Sequence, residues 1–262
     1  MIEEREFALE IARAAGALTL EYFGRDDLVV DQKSDNTPVT EADRAAEELL
    51  RTRIERRFPN DGILGEEFGE LEGTSGRRWI LDPIDGTRSF ERGVPLYGNL
   101  IALEADGEIV VGVIHMPALR ELVHAAAGAG AVWISDLGMP TERERPARVS
   151  SVSDPSAALL GITSMGGFSR AENPALLDRL RATFGRDRGW SDCYGHLLVA
   201  TGRVDVMVDP MLGPWDAAAL KVVVEEAGGT FTDLAGHATH LGGSGMSTNG
   251  ALFDATRAAV DG

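Results

Sequence analysis

The sequence predicts an α+β fold: a helix pair on a largely antiparallel sheet, then a part in which helices and strands alternate. Three observations lead there. Apolar residues recur at three- and four-residue spacing near the N-terminus, the period of amphipathic helices. Two strand-like runs, 99–104 and 109–116, flank Ala105-Asp106-Gly107-Glu108, a hairpin signal. Beyond residue 146, short apolar runs alternate with helical ones, the pattern of an α/β layer.

The first helix is read from Phe7, Ile11, Ala14, Leu18 and Tyr22 on one face, with Gly24 ending it. Leu28-Val29-Val30 is strand-like, and Lys33-Ser34-Asp35-Asn36-Thr37-Pro38 has loop composition. Lys33 reads equally well as a solvated surface lysine. Thr40 opens a second helix with Asp43 three residues on, a capping-box spacing, and Ala46, Leu49, Leu50 and Ile54 form its apolar face. Asp43 therefore has an ordinary role as a first-turn acid favoured by the helix dipole. Ile63-Leu64-Gly65 leads into Glu66-Glu67. Adjacent acids usually sit on a solvated face, but these precede the next strand, so one of them can point toward its end. Residues 69–76 read as a polar loop.

Trp79-Ile80-Leu81 is a short buried strand that runs into Asp82-Pro83-Ile84-Asp85-Gly86-Thr87. Pro83 has no amide hydrogen, so pairing should stop there. Gly86 permits a tight backbone and Thr87 can cap a following helical turn. Further strands are expected at 121–126 and 131–134. Residues 139–146, charged and proline-flanked, read as an exposed linker. Two parts follow, 1–145 and 146–262. The second should hold strands at 158–163, 204–208 and 230–232, and helices at 174–184, 194–200, 215–227 and 251–260.

At 262 residues the chain has ample length for a core. Its net charge of −17 argues against nucleic acid and anionic membranes as partners. The same charge would repel a phosphorylated substrate unless bound cations inverted the local field. One cysteine, Cys193, excludes an intrachain disulfide and fits a reducing compartment. Residues 1–6 lack the features of a signal peptide, and no apolar run is long enough to span a bilayer. The expectation is a cytoplasmic protein.

The Asp82–Thr87 segment places two carboxylates at a strand mouth, followed by backbone N–H groups and a hydroxyl. Carboxylates hold hard divalent cations, and amides at a helix start hold phosphate. Together they suggest metal-assisted chemistry on a phosphate ester. Taken alone, Asp-Pro and Asp-Gly are common turn dipeptides. The spacing is not that of an EF-hand, none of the five histidines forms a zinc pattern, and Cys193 reads as a small buried residue.

Gly65-Glu66-Glu67, the Asp82–Thr87 segment, Pro214-Trp215-Asp216 and Glu226-Ala227-Gly228-Gly229 together resemble the inositol monophosphatase superfamily, from about Lys33 to Gly250. These are magnesium-dependent, lithium-sensitive phosphomonoesterases, commonly dimeric. The resemblance implies a layered α/β/α/β/α sandwich of the sugar-phosphatase type, two to three Mg2+ ions, and a homodimer. It implies that Glu66, Asp82, Asp85 and the Ile84 carbonyl hold the first ion, that Asp82, Asp85 and Asp216 hold the second, and that a weaker third leans on Glu66. Gly86 and Thr87 would bind phosphate, Thr87 with Asp43 would orient or deprotonate the attacking water, and Lys33 would lie near the ions. Asp216 would sit near the leaving oxygen and Asp209 on the substrate side. The physics agrees: carboxylates about 5 Å apart repel by roughly 3 kcal/mol at an effective dielectric near 20, so four converging acids make sense with cations bound.

Asp85-Gly86-Thr87-Arg88-Ser89-Phe90, Gly93-Val94-Pro95-Leu96-Tyr97-Gly98 and Ser191-Asp192-Cys193-Tyr194-Gly195-His196 look like the histidinol-phosphate phosphatase branch. That places Arg88 and Asp192 at the substrate, where Asp192 and Asp209 suit a cationic ester. Asp192 reads equally as a helix N-cap. His196 departs from some members of the branch, which have an acid near this position, and a single histidine is more often part of a core. The expected reaction is hydrolysis of histidinol phosphate. The same chemistry on inositol monophosphate or another small sugar phosphate is the alternative, and an inactive metal-binding regulatory module is the alternative of another class.

Overall fold

The computed structural model describes residues 2–33 and 37–262. Ser34, Asp35 and Asn36 of the expected polar loop lie outside the described residues. The first half contains α1 (Ile2–Tyr22), β1 (Val30–Gln32), β2 (Pro38–Thr40), α2 (Glu41–Arg57), β3 (Gly62–Gly65), β4 (Gly69–Leu71), β5 (Arg77–Asp85) and α3 (Thr87–Phe90). It continues with β6 (Gly98–Ala105), β7 (Glu108–Met116), β8 (Glu121–Ala126), β9 (Ala131–Ser135) and β10 (Arg143–Pro146). The second half adds β11 (Leu159–Ile162), α4 (Met165–Arg170), α5 (Pro174–Thr183), β12 (Arg186–Gly189) and α6 (Asp192–Ala200). It ends with β13 (Val206–Asp209), α7 (Pro214–Glu226), β14 (Thr230–Thr232), β15 (Gly245–Thr248) and α8 (Phe253–Asp261).

Among the described residues these elements stack in five layers. α1 and α2 cover one face of an eight-stranded sheet ordered β10-β9-β8-β7-β6-β5-β3-β4, which is antiparallel except for the β3–β5 pair. α6 and α7 cover its other face and also back a five-stranded sheet ordered β12-β11-β13-β15-β14. α4, α5 and α8 close the far side. The layered α+β sandwich expected from the sequence is the observed architecture. In α7, Ala217 through Val224 are all buried, Lys221 included. Only a helix covered on both sides can lack a wet stripe.

Several local expectations change. The buried side of α1 is Ala8, Ile11, Ala12, Ala15, Gly16 and Thr19; of the five residues assigned to its face, Ile11 alone is fully buried. Small side chains bring the helix close to the sheet: a Cβ on Gly16 would lie 2.1 Å from His115 Cε1. Phe7 instead packs at the flank, edge-on to Phe58 and Trp79. The 28–30 strand is shifted to Val30–Gln32, where it pairs antiparallel with β2. The 69–76 loop contains β4, paired to β3. Residues 143–146 are not a linker but an edge strand, exposed along its length and hydrogen-bonded to β9. The short elements α4, β12 and β15 were not foreseen. The hairpin is as expected, with Asp106 (φ 52°) and Gly107 (φ 84°) in its turn. Among the described residues, no helix is long and apolar enough to cross a membrane.

His115, buried beneath α1, donates its Nδ1–H to the Ala12 carbonyl at 3.0 Å, a contact that fixes this tautomer. Burial lowers its pKa to about 4. The unfolded chain, near 6.5, takes up a proton first, so this group's stabilisation is complete above about pH 6.5 and disappears as pH falls through about 4. The full span is about 3 kcal/mol. His115→Asn can keep a donor near Nδ1 but does not titrate. The stability difference between wild type and this variant, from urea titrations at pH 7.5 and pH 5, is expected to shrink at the lower pH; a constant difference would show that His115 charges without cost.

Candidate active site

β5 delivers two acids to one place because its end is irregular. Asp82 pairs with Leu100 and Asp85 with Gly98, and the register slips between them. Pairing is interrupted at Pro83, as its missing amide requires, but resumes at Asp85 instead of ending. The Pro83 carbonyl is satisfied by Asn99 Nδ2 at 2.6 Å. Gly86 then turns the chain at φ 86° and is itself the N-cap of α3, so Thr87 is the first helical residue and not the cap. A Cβ at Gly86 would meet the Leu96 carbonyl at 2.9 Å and Asp192 Oδ2 at 3.1 Å, besides the strain of positive φ.

The third acid comes from the other half. Asp216 lies in the first turn of α7, where its Oδ2 accepts the Gly213 amide at 2.6 Å. Ligand atoms of Asp82, Asp85 and Asp216 all lie within 4.8 Å of one another. At that separation each ionised pair repels by about 3 kcal/mol at an effective dielectric near 20. Burial, then the charges of Glu66, Asp85 and Asp216, raises Asp82 well above the carboxylate range. Burial, then Asp192 and Asp216, does the same to Asp85, and burial pushes Asp216 up to about 7. Among the described residues, Asp82 Oδ1 is buried with no hydrogen-bond partner. A buried carboxylate oxygen without a donor, within a cluster of hard oxygen ligands, suits a divalent cation.

Glu66 lies on the same cavity wall but outside the tight trio. Lys33 Nζ reaches Glu66 Oε1 at 2.8 Å and Glu67 Oε1 at 2.7 Å. Burial alone would lower the Lys33 ammonium, but its bonds to the two glutamates outweigh this and hold it above its usual range. Burial raises Glu67 to about 7. Glu67 is thus a site residue the sequence left undecided between two neighbours.

Asp43 is the first-turn acid that caps α2, and it also touches Thr87. Its Oδ2 accepts from the Thr40 amide (2.8 Å) and Thr40 Oγ1 (2.5 Å), completing the capping box of α2. Its Oδ1 is 3.3 Å from Thr87 Oγ1, which also lies 3.1 Å from the Ile84 carbonyl. Burial raises Asp43 to about 6.

Lys33, Glu66, Thr87 and the acid trio border a cavity of about 850 Å3, whereas Asp43 and Glu67 are not in its wall. Its wall also includes Arg88, Ser164, Arg170, Asp192, Met211 and Trp215. Asp192 is not the N-cap of α6, which is Ser191; it is the first helical residue, held at φ 53° with its amide on Thr163 Oγ1 at 2.9 Å. Burial, then Asp209, pushes Asp192 up to about 6. Asp209 is not in the cavity wall. Its oxygens are taken by His196 Nε2 (3.1 Å) and the Thr163 amide (3.2 Å), and His196 is a core residue also bonded to Ser247. Its charge therefore reaches the cavity through Asp192. Cys193 is buried as expected, and its backbone serves the site: its amide donates to Asp85 Oδ2 at 2.5 Å. Ser164 and Arg170 gave no sequence signal, since they belong to the unforeseen α4 turn.

The inositol monophosphatase family pattern matches residues 2–260. A histidinol-phosphatase of Chlorobaculum parvum is 48% identical over 253 residues, 96% of this chain and 94% of that one. A histidinol-phosphatase of Mycobacterium tuberculosis is 46% identical, covering 94% of each chain. Among solved structures, an inositol monophosphatase from Zymomonas mobilis superposes with a TM-score of 0.83 at 30% identity, over 99% of this chain and 98% of that one. Matched over nearly its whole length, the chain belongs to the inositol monophosphatase family.

Proposed function

We propose that the protein is a magnesium-dependent phosphomonoesterase that hydrolyses L-histidinol phosphate to L-histidinol and phosphate. The observation that carries the chemistry is the trio Asp82, Asp85 and Asp216, with an unpartnered Asp82 oxygen, on the wall of an open cavity. The substrate rests on similarity to histidinol-phosphatases at 40–48% identity, against 31–35% for relatives named as inositol phosphatases.

On this reading Asp82, Asp85, Asp216, Glu66 and the Ile84 carbonyl hold two to three Mg2+ ions. Bound there, magnesium supplies positive charge that screens the phosphoryl oxygens and makes a water more acidic. The chain's own groups do the rest. Thr87 Oγ1, fixed between Asp43 and the Ile84 carbonyl, orients the attacking water, and Asp43 takes its proton. The Gly86 and Thr87 amides hold the phosphoryl group. Lys33 keeps Glu66 and Glu67 together at the rim. The P–O ester bond breaks as water's oxygen bonds to phosphorus, and the leaving alkoxide is protonated from solvent near Asp216. Asp192, backed by Asp209, takes the ammonium of histidinol, with Arg88 beside it. The reading treats 1–145 and 146–262 as two parts that meet at this site, and the protein as a cytoplasmic homodimer, which sedimentation equilibrium tests.

Phosphate release measured with histidinol phosphate and inositol monophosphate side by side is the direct test. We expect kcat/KM to favour histidinol phosphate by about a hundredfold or more, the discrimination available when a buried charged site is left unpaired by the wrong ligand. Preference for the inositol ester would select the sugar-phosphate alternative, and no release from either would select the binding module.

A further inference from the structure

Glu47 is fully buried, is not in the cavity wall, and has no part in the chemistry above. A buried carboxylate is costly unless its oxygens are satisfied. Those of Glu47 are satisfied by the strand-to-turn segment that follows Glu66. Oε2 accepts the Glu67 amide at 2.7 Å, and Oε1 accepts the Phe68 amide at 3.2 Å and Arg51 Nε at 2.7 Å. Arg51, one turn further along α2, continues the grip by donating to the Gly69 carbonyl. The segment is shaped to receive this carboxylate. A Cβ at Gly65 would lie 1.9 Å from Glu47 Oε1, so only glycine lets the chain pass this closely. The Glu66 amide is pinned from the other side by the Leu81 carbonyl at 3.2 Å.

We propose that Glu47 is a positioning residue: by holding the Glu67 and Phe68 amides, it sets the Glu66 carboxylate against the acid trio. Glu47 lies four residues after Asp43, so one side of α2 orients two parts of the site. Asp43 fixes Thr87, and Glu47 fixes the glutamate pair that Lys33 bridges. The proposal rests on the reading that Glu66 helps hold magnesium.

Glu47→Gln tests it, because all three partners are donors. A carboxamide keeps the size but turns an N–H2 group toward one of them. In calorimetric titration of metal-free protein with MgCl2, this variant is expected to bind Mg2+ about tenfold more weakly or worse, the usual cost of losing a residue that orients a ligand. Activity should return toward the wild-type kcat as Mg2+ is raised. A purely structural role would lower the melting temperature in EDTA and leave Mg2+ affinity unchanged, and that result overturns the proposal. Arg51→Met leaves Glu47 in place, and should shift affinity in the same direction by less; it serves if Glu47→Gln does not fold. Wild-type protein that binds Mg2+ normally beside an unaffected variant removes the role of Glu47 alone. Wild-type protein that binds none removes the magnesium reading and this proposal with it.

Discussion

Asp85→Asn is expected to lower kcat/KM for the phosphomonoester by more than about a hundredfold, the loss that follows removal of a preorganised charge at the transition state. Asp85 has two tasks at once. One oxygen accepts the Cys193 amide at 2.5 Å, tying the second half of the chain to the first, and the carboxylate also joins the trio with Asp82 and Asp216. An amide has one accepting oxygen. It can keep the Cys193 contact or face the cluster, and in either case the charge is gone. The fold should survive, since the side-chain size is unchanged. Steady-state phosphate release at saturating Mg2+ checks this, with circular dichroism as the control. Activity within a few fold of wild type would reject the assignment of the site.

Asp82→Asn should do the opposite to stability. In EDTA at pH 8, the wild-type trio has like charges within 4.8 Å and a buried Asp82 oxygen without a donor. Removing one charge relieves repulsion of about 3 kcal/mol per ionised neighbour at an effective dielectric near 20. Part of that is already relieved in the wild type, because these acids titrate upward. A gain of about 1–2 kcal/mol remains a reasonable expectation, or roughly 2–8 °C in Tm for a chain of this size. With Mg2+ the ranking should reverse. Wild type is stabilised by an ion bound only to the native state, and the variant gains little. Differential scanning fluorimetry with EDTA and with MgCl2 reads both. A variant that melts lower than wild type in EDTA would mean the trio is not strained when empty of cations.

The architecture was largely legible because helix period, hairpin turn and α/β alternation are local signals. So were Asp82 and Asp85, adjacent in one strand. Asp216, Glu66 and Lys33 became legible only through motif spacing, since nothing local in Pro214-Trp215-Asp216 says which strand it will face. The misreadings share a physical origin. α1 was assigned to its larger residues, whereas the sheet selected the small ones so that it could approach. Residues 139–146 read as a linker because the edge strand within them, 143–146, is exposed along its length and carries three charges and a proline. Pro83 was given its local meaning as a stop, and the sheet accommodated it by slipping register. Glu47 gives no distinct signal on its own, because one more glutamate on a charged helix looks solvated. The available signal was its four-residue spacing from Asp43, which puts both on one side.

The dry helix α7 has a consequence for how this enzyme could diverge. Its first turn supplies Asp216, and the eight residues that follow are enclosed by protein, so a change that shifts its axis disturbs both sheets together. Another part of the rim is built from short segments around Ser164, Arg170 and Met211, where side chains can be exchanged with little effect on either core. New esters would therefore be recruited by editing the rim while the hydrolytic machinery stays as inherited.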